Sequence, residues 1–153
     1  MIVGTEWLIE AFDCEAETLR ETSALQNVFS RIIADLNLKI VGEPLWHKFG
    51  GEGGITGLTM LTESHLACHT YPEYLTATFN LYCCRTRPEW NWSANLKRLL
   101  GATKIKITKI ERGENSEIQI PNSRFQISNS KIQKLKSKIQ NPKSKIEIVG
   151  GKI

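Results

Sequence analysis

Between Thr56 and Cys84 the chain gathers an unusual density of reactive side chains. Two of its three histidines, His65 and His69, flank Ser64, Cys68 and Glu73 in the run Glu63-Ser64-His65-Leu66-Ala67-Cys68-His69-Thr70-Tyr71-Pro72-Glu73. A hydroxyl beside an imidazole is the raw material of nucleophilic catalysis. A Ser–His–acid hydrolase, however, wants its serine on a strained glycine-flanked elbow, and Glu63-Ser64-His65 has no glycine on either side. His65, His69 and Glu73 could ligate a metal, but a four-residue histidine spacing shares one face tightly only on a helix. Pro72 and the β-rich flanks speak against a helix here. The residue types alone also allow a strand pair with polar side chains on its solvent face. The glycines at 50, 51, 53 and 54 lack the Lys and Ser/Thr of a P-loop and read as a connector.

The elements that must carry these residues are a mixture of helix and strand. Leu25, Val28, Phe29, Ile32, Ile33 and Leu36 fall at helical spacing and predict one helix from about Glu15 to about Asn37. Pro88 in a first-turn position and Gly101 at the end predict a second, with Trp92, Leu96, Leu99 and Leu100 on its apolar face. Strands are expected at 7–12, 38–48, 57–63, 65–71, 75–84 and 103–111. The fold class is α+β, a mostly antiparallel sheet with two helices packed on one face. In the strand 75–84, alternation puts Cys83 with Leu75, Ala77, Phe79 and Leu81, and Cys84 with Thr76, Thr78, Asn80 and Tyr82. Cys83 is therefore expected in the core, and Cys84 is free to be a working thiol.

Bulk properties narrow the class. The 153 residues suffice for one domain, and no apolar run reaches membrane-spanning length. The start, Met1-Ile2-Val3-Gly4-Thr5-Glu6-Trp7, reads as neither basic leader nor apolar signal, so a cytoplasmic protein is expected. Cys14, Cys68, Cys83 and Cys84 fit no zinc or redox spacing. The formal charge of +4 belongs to the end of the chain: residues 121–153 hold eight Lys/Arg and one acid, leaving twelve bases and fifteen acids in 1–120. Nucleic-acid binding by the body is not indicated. From Asn115 the units NSEIQIP, NSRFQIS, NSKIQKL, KSKIQNP and KSKIEIV repeat every seven residues. One reliably apolar position per unit, with Pro121 and Pro142, argues against a coiled coil and for a low-complexity, disordered tail over 121–153.

The segment Leu61-Thr62-Glu63-Ser64-His65-Leu66, followed by Cys68-His69-Thr70-Tyr71-Pro72-Glu73, resembles the prokaryotic S-adenosylmethionine decarboxylase proenzymes. Phe49, Thr56-Gly57, Leu81-Tyr82-Cys83-Cys84 and Glu111-Arg112-Gly113 extend the resemblance over about residues 4–120. It implies a body at 1–120 that cuts itself between Glu63 and Ser64, leaving Ser64 as a pyruvoyl group. That group would form a Schiff base with S-adenosylmethionine and act as electron sink while CO₂ leaves, in the service of spermidine and polyamine biosynthesis. His69 is implied as a helper of the processing elimination, Thr56 as a second processing helper and Cys84 as proton donor to the substrate. Glu73 is implied at the ribose hydroxyls, and Phe49, Leu66 and Tyr71 around the adenine and sulfonium. The resemblance also implies a homodimer with active sites near the interface, and no metal. Ala67 and Asn80 depart from the usual hydroxyl residue and acid, and the repeat tail is not part of the pattern. Two rivals are a pyruvoyl-dependent decarboxylase of arginine or ornithine, and a non-catalytic interaction protein whose working part is the basic tail.

Overall fold

The computed structural model describes residues 1–113. The repeat tail expected over 121–153, and the boundary expected at 120, lie outside the described residues. Six strands form one wholly antiparallel sheet: β1 (Gly4–Phe12), β2 (Leu45–Lys48), β3 (Ile55–Leu61), β4 (Ser64–Tyr71), β5 (Thr76–Cys83) and β6 (Lys104–Arg112). Their spatial order is β2-β3-β4-β5-β1-β6. Period-two alternation sorts the side chains. Trp7, Ile9, Ala11, Leu66, Cys68, Ala77, Phe79, Leu81 and Cys83 line the buried face, under helices α2 (Thr22–Asp35) and α3 (Trp92–Leu100). Glu6, Leu8, Thr56, Leu58, Met60, His65, His69, Thr78 and Asn80 alternate with them onto the other face, which no helix among the described residues covers. Among the described residues no helix is long and apolar enough to cross a membrane.

The long first helix expected over 15–37 is two. Helix α1 (Ala16–Arg20) stops at Glu21, whose φ of −96° and ψ of 112° are extended, before α2 begins. The break frees the carbonyl of Leu19 from the helical ladder, and it accepts the Thr70 hydroxyl of β4 at 2.8 Å. That same hydroxyl oxygen accepts the Ile55 amide of β3. Gly54 lets the chain pass this close, since a Cβ there would lie 1.8 Å from the Thr70 carbonyl oxygen. A tertiary hydrogen bond has overridden the helical periodicity of the sequence.

Helix α3 starts at Trp92, four residues after Pro88, because Asn91 is the cap. Its side chain accepts the Ala94 amide at 3.1 Å. The preceding residues turn Trp90 into the core, where its indole N–H donates to Asp35. The helix ends as expected at Gly101, in the left-handed conformation. The strand expected over 38–48 survives only at 45–48, with one isolated bridge from Ile40 to Leu61. Gly42 at positive φ and Pro44 interrupt the rest.

Candidate active site

Strands β3 and β4 are joined by only two residues, Thr62 and Glu63, with Leu61 paired to Ser64. Two-residue hairpins favour residues that accept positive φ, commonly Asn-Gly. Here neither turn residue supplies it, and Ser64 itself carries a φ of 144°. The other side-chain-bearing residues at positive φ among those described, Asp13, Asn37 and Leu75, sit at 49–54° in the ordinary left-handed well. A φ of 144° belongs to a region that is essentially glycine's, so the Glu63–Ser64 junction stores backbone strain. It also re-aims Ser64. By alternation its side chain belongs with Leu66 and Cys68, yet it lines a cleft on the open face with Glu6, Leu58, Met60, His65, Ala67 and Asn80.

Both sides of this peptide bond are held. The Glu63 side chain is 5 % exposed and receives the Arg87 guanidinium on both oxygens, Nε reaching Oε2 at 2.8 Å and Nη2 reaching Oε1. Arg87 holds the Glu63 carboxyl below the usual carboxylate range, against the opposing effect of burial. The main-chain carbonyl of Glu63 accepts the amide of Cys84 at 3.0 Å. Cys84 follows the last residue of β5 and is exposed, while Cys83 is fully buried, as alternation predicts. Burial pushes the Cys83 thiol up to about 11 and the Cys68 thiol up to about 12, leaving both inert near neutrality.

On the open face Ser64 Oγ lies 3.0 Å from His65 Nδ1, and His65 Nε2 lies 2.8 Å from Asn80 Oδ1. Asn80 donates on to Glu6 at 2.7 Å, and Glu6 is paired with Arg112. The Asn80 amide and Arg112 hold the Glu6 carboxyl below its usual range, again against burial. The sequence singled out His65 only as an imidazole beside Ser64 and a possible metal ligand, and assigned no role to Arg87, Asn80, Glu6 or Arg112. For Asn80 the signal was an amide standing where an acid is more usual.

A second cluster sits farther along the same face. Thr56 and His69 face each other across β3 and β4, with Oγ1 and Nδ1 2.7 Å apart. The His69 ring is 5.5 Å from Phe49 and 4.4 Å from Tyr71, and His47 packs edge-on to Phe49. Glu73 lies on the short 3₁₀ turn Pro72–Tyr74 that follows β4, exposed beside this cluster. The structure therefore gathers Glu63, Ser64 and Cys84 at one end of β4, and Thr56, His69, Phe49, Tyr71 and Glu73 at the other. Five residues of strand, about 16 Å, separate Ser64 from His69. Leu66 joins neither group: its side chain is fully buried on the helix-covered face.

A hydroxyl at a strained junction, with its neighbouring carbonyl held by an amide donor, is arranged for attack on the chain's own backbone. Residues 5–113 match the model of the S-adenosylmethionine decarboxylase family, and the chain belongs to that family. S-adenosylmethionine decarboxylase proenzyme 2 of Halalkalibacterium halodurans is 31% identical over 115 residues, spanning 72% of this chain and 87% of that one. The proenzyme of Thermotoga maritima is 29% identical over 120 residues, 78% of this chain and 91% of the relative. The crystal structure of the adenosylmethionine decarboxylase from Aquifex aeolicus shares the fold. It has a TM-score of 0.62 at 22% identity, covering 76% of this chain and 95% of that one.

Proposed function

We propose that this chain is a self-processing, pyruvoyl-dependent decarboxylase of S-adenosylmethionine, cut between Glu63 and Ser64. The observation that carries the reading is the φ of 144° at Ser64, on the very bond to be cleaved. Strain in the precursor is relieved when the peptide becomes an ester, so it lowers the barrier of the first step. The Cys84 amide, already on the Glu63 carbonyl oxygen, donates to the negative charge that develops there when Ser64 Oγ attacks. Arg87 fixes the Glu63 side chain and so the plane of the scissile peptide. The residues present fit the group they are proposed to produce: the new chain would begin at residue 64, inside the open-face cleft, with the main chain of Cys84 bonded to the preceding carbonyl. Once formed, a pyruvoyl group supplies a carbonyl electron sink for loss of CO₂. Cys84 is the proton donor to the substrate carbon, and Glu73, Phe49 and Tyr71 bind the nucleoside and its sulfonium.

The 16 Å between Ser64 and His69 supports a second copy in the working enzyme. An imidazole cannot serve an elimination at that distance, and both groups are fixed on one strand. Two copies meeting through their open faces about a twofold axis would set His69 and Thr56 of one over Ser64 of the other. Leu8, Leu45, Leu58, Met60 and Ile110, all exposed, give those faces apolar surface to bury. The substrate site is accordingly proposed to be shared, with Ser64 and Cys84 from one protomer and the Phe49–Tyr71–Glu73 group from its partner.

Intact-mass measurement of the purified protein tests the reading. Chains of 63 and 90 residues are expected, the larger blocked to N-terminal sequencing. A single chain that stays whole on incubation would overturn it.

A further inference from the structure

We propose that Glu6 and Asn80 lock His65 in the Nε2–H tautomer, so that His65 Nδ1 is the base that takes the Ser64 hydroxyl proton in self-cleavage. The chemical step rests on the self-processing reading above, whereas the tautomer does not.

Glu6 anchors the line of hydrogen bonds. Its carboxyl is held low by the Asn80 amide and Arg112, so near neutrality it is ionised and can only accept hydrogen bonds. Its contact with Asn80 at 2.7 Å must therefore come from the amide NH₂. That settles which way Asn80 points. Its carbonyl Oδ1 is left facing His65 Nε2 at 2.8 Å, and since Oδ1 is an acceptor, Nε2 must carry the proton. A neutral imidazole protonated at Nε2 has its lone pair at Nδ1, and Nδ1 lies 3.0 Å from Ser64 Oγ. The hydroxyl donates and the ring accepts.

The relay is built by sheet register across four strands. Tyr82 of β5 stands directly opposite both His65 of β4 and Glu6 of β1, so His65 and Glu6 cannot touch. Asn80, two residues before Tyr82 on the same face, reaches both on the diagonal. Arg112 of β6 closes the line by pairing with Glu6 and lying over the Tyr82 ring, 5.6 Å from its centre. Ser64 enters the line only because its positive φ turns its hydroxyl to the open face.

The step balances within the molecule. Ser64 Oγ attacks the Glu63 carbonyl carbon as its proton passes to His65 Nδ1. The imidazolium then returns that proton to the Ser64 nitrogen as the Glu63–Ser64 C–N bond breaks, leaving an ester and a free amine. His65 is thus a catalytic residue for the acyl shift, while Glu6 and Asn80 are positioning residues. This role is separate from that of His69, whose Nδ1 is engaged with Thr56.

Two measurements decide it. In uncleaved Ser64→Ala protein carrying nitrogen-15 histidine, the His65 ring should show a bare Nδ1 and a protonated Nε2. Adding Asn80→Leu should abolish that preference. In the cleavable protein, Asn80→Leu should slow self-cleavage about 10²-fold, the ordinary worth of a positioned base. The double exchange Glu6→Gln with Asn80→Asp reverses the bond between positions 6 and 80 but keeps an acceptor facing His65 Nε2, and should cleave within a few-fold of the parent. A protonated Nδ1 in the Ser64→Ala protein, or parental cleavage by Asn80→Leu, overturns the proposal. Should the parent itself never cleave, the self-processing reading fails alone, and the tautomer measurement still decides this one.

Discussion

The amide of Cys84 donates to the carbonyl oxygen of Glu63 at 3.0 Å, although 21 residues of chain separate them. The contact joins the end of β5 to the turn between β3 and β4 and uses only main-chain atoms. It divides Cys84 into an amide aimed at the Glu63 carbonyl and an exposed thiol free for other work.

That division is testable. Cys84→Ala keeps the amide and removes the thiol, so self-cleavage should stay within a few-fold of the parent. Decarboxylation should fall by at least about 10²-fold, because the proton donor has gone. Mass spectrometry follows the first and CO₂ release the second. Equal loss of both would show the thiol acting in cleavage itself.

The distance between Ser64 and His69 makes a prediction about pairs of defective chains. His69→Ala alone should stay mostly uncleaved, and Ser64→Ala cannot be cleaved at all. In a mixed dimer the intact Ser64 of one chain meets the intact His69 of the other. Co-expression should therefore restore cleavage of the His69→Ala chain and leave the Ser64→Ala chain whole. If the His69→Ala chain stays uncut in a demonstrated mixed dimer, the shared site is wrong.

Acid should dissect the Glu63–Arg87 pair. The folded carboxyl of Glu63 titrates below its unfolded value, chiefly through Arg87. The stability it contributes is complete above the unfolded carboxylate pKa and is lost as pH falls through the folded one. In a Ser64→Ala background, Arg87→Leu strands a buried carboxylate, and Tm should drop by several degrees at pH 7. The gap between the two proteins should close toward pH 3, where the carboxyl is neutral in both. A gap independent of pH would mean that Arg87 contributes packing and not charge.

How much of this could be read from sequence follows from the range of the interactions concerned. Strands β4 and β5 were legible because Leu66, Cys68, Phe79, Leu81 and Cys83 alternate with polar residues, a signal carried within eight residues. The end of α3 at Gly101 is equally local. The break at Glu21 was hidden because its cause, the Thr70 hydroxyl on the Leu19 carbonyl, acts across 51 residues. The same holds at the site. Glu63, Ser64 and His65 are contiguous and invite attention, but Arg87 reaches Glu63 from 24 residues away. Asn80 and Glu6 are 74 apart and meet only through the register of β1 on β5. Strain at Ser64 was illegible for another reason. Nothing in Thr62-Glu63-Ser64 announces that a serine, and not a glycine, will carry the turn's positive φ.

The position of β1 decides what the proposed cut would leave behind. Strands β1, β2 and β3 precede Ser64 in the chain, and β4, β5 and β6 follow. Yet β1 is not beside its own chain-mates in the sheet; it lies between β5 and β6. A break after Glu63 severs a hairpin turn and no ladder, so two polypeptides result that are dovetailed, the first inserted between strands of the second. Neither fragment could withdraw without opening three ladders, β3 on β4, β1 on β5 and β1 on β6, and neither alone would own a complete sheet. Maturation in this architecture is a one-way passage: the pair persists as a single body, but its halves, once unfolded and parted, would have to find each other again as strangers.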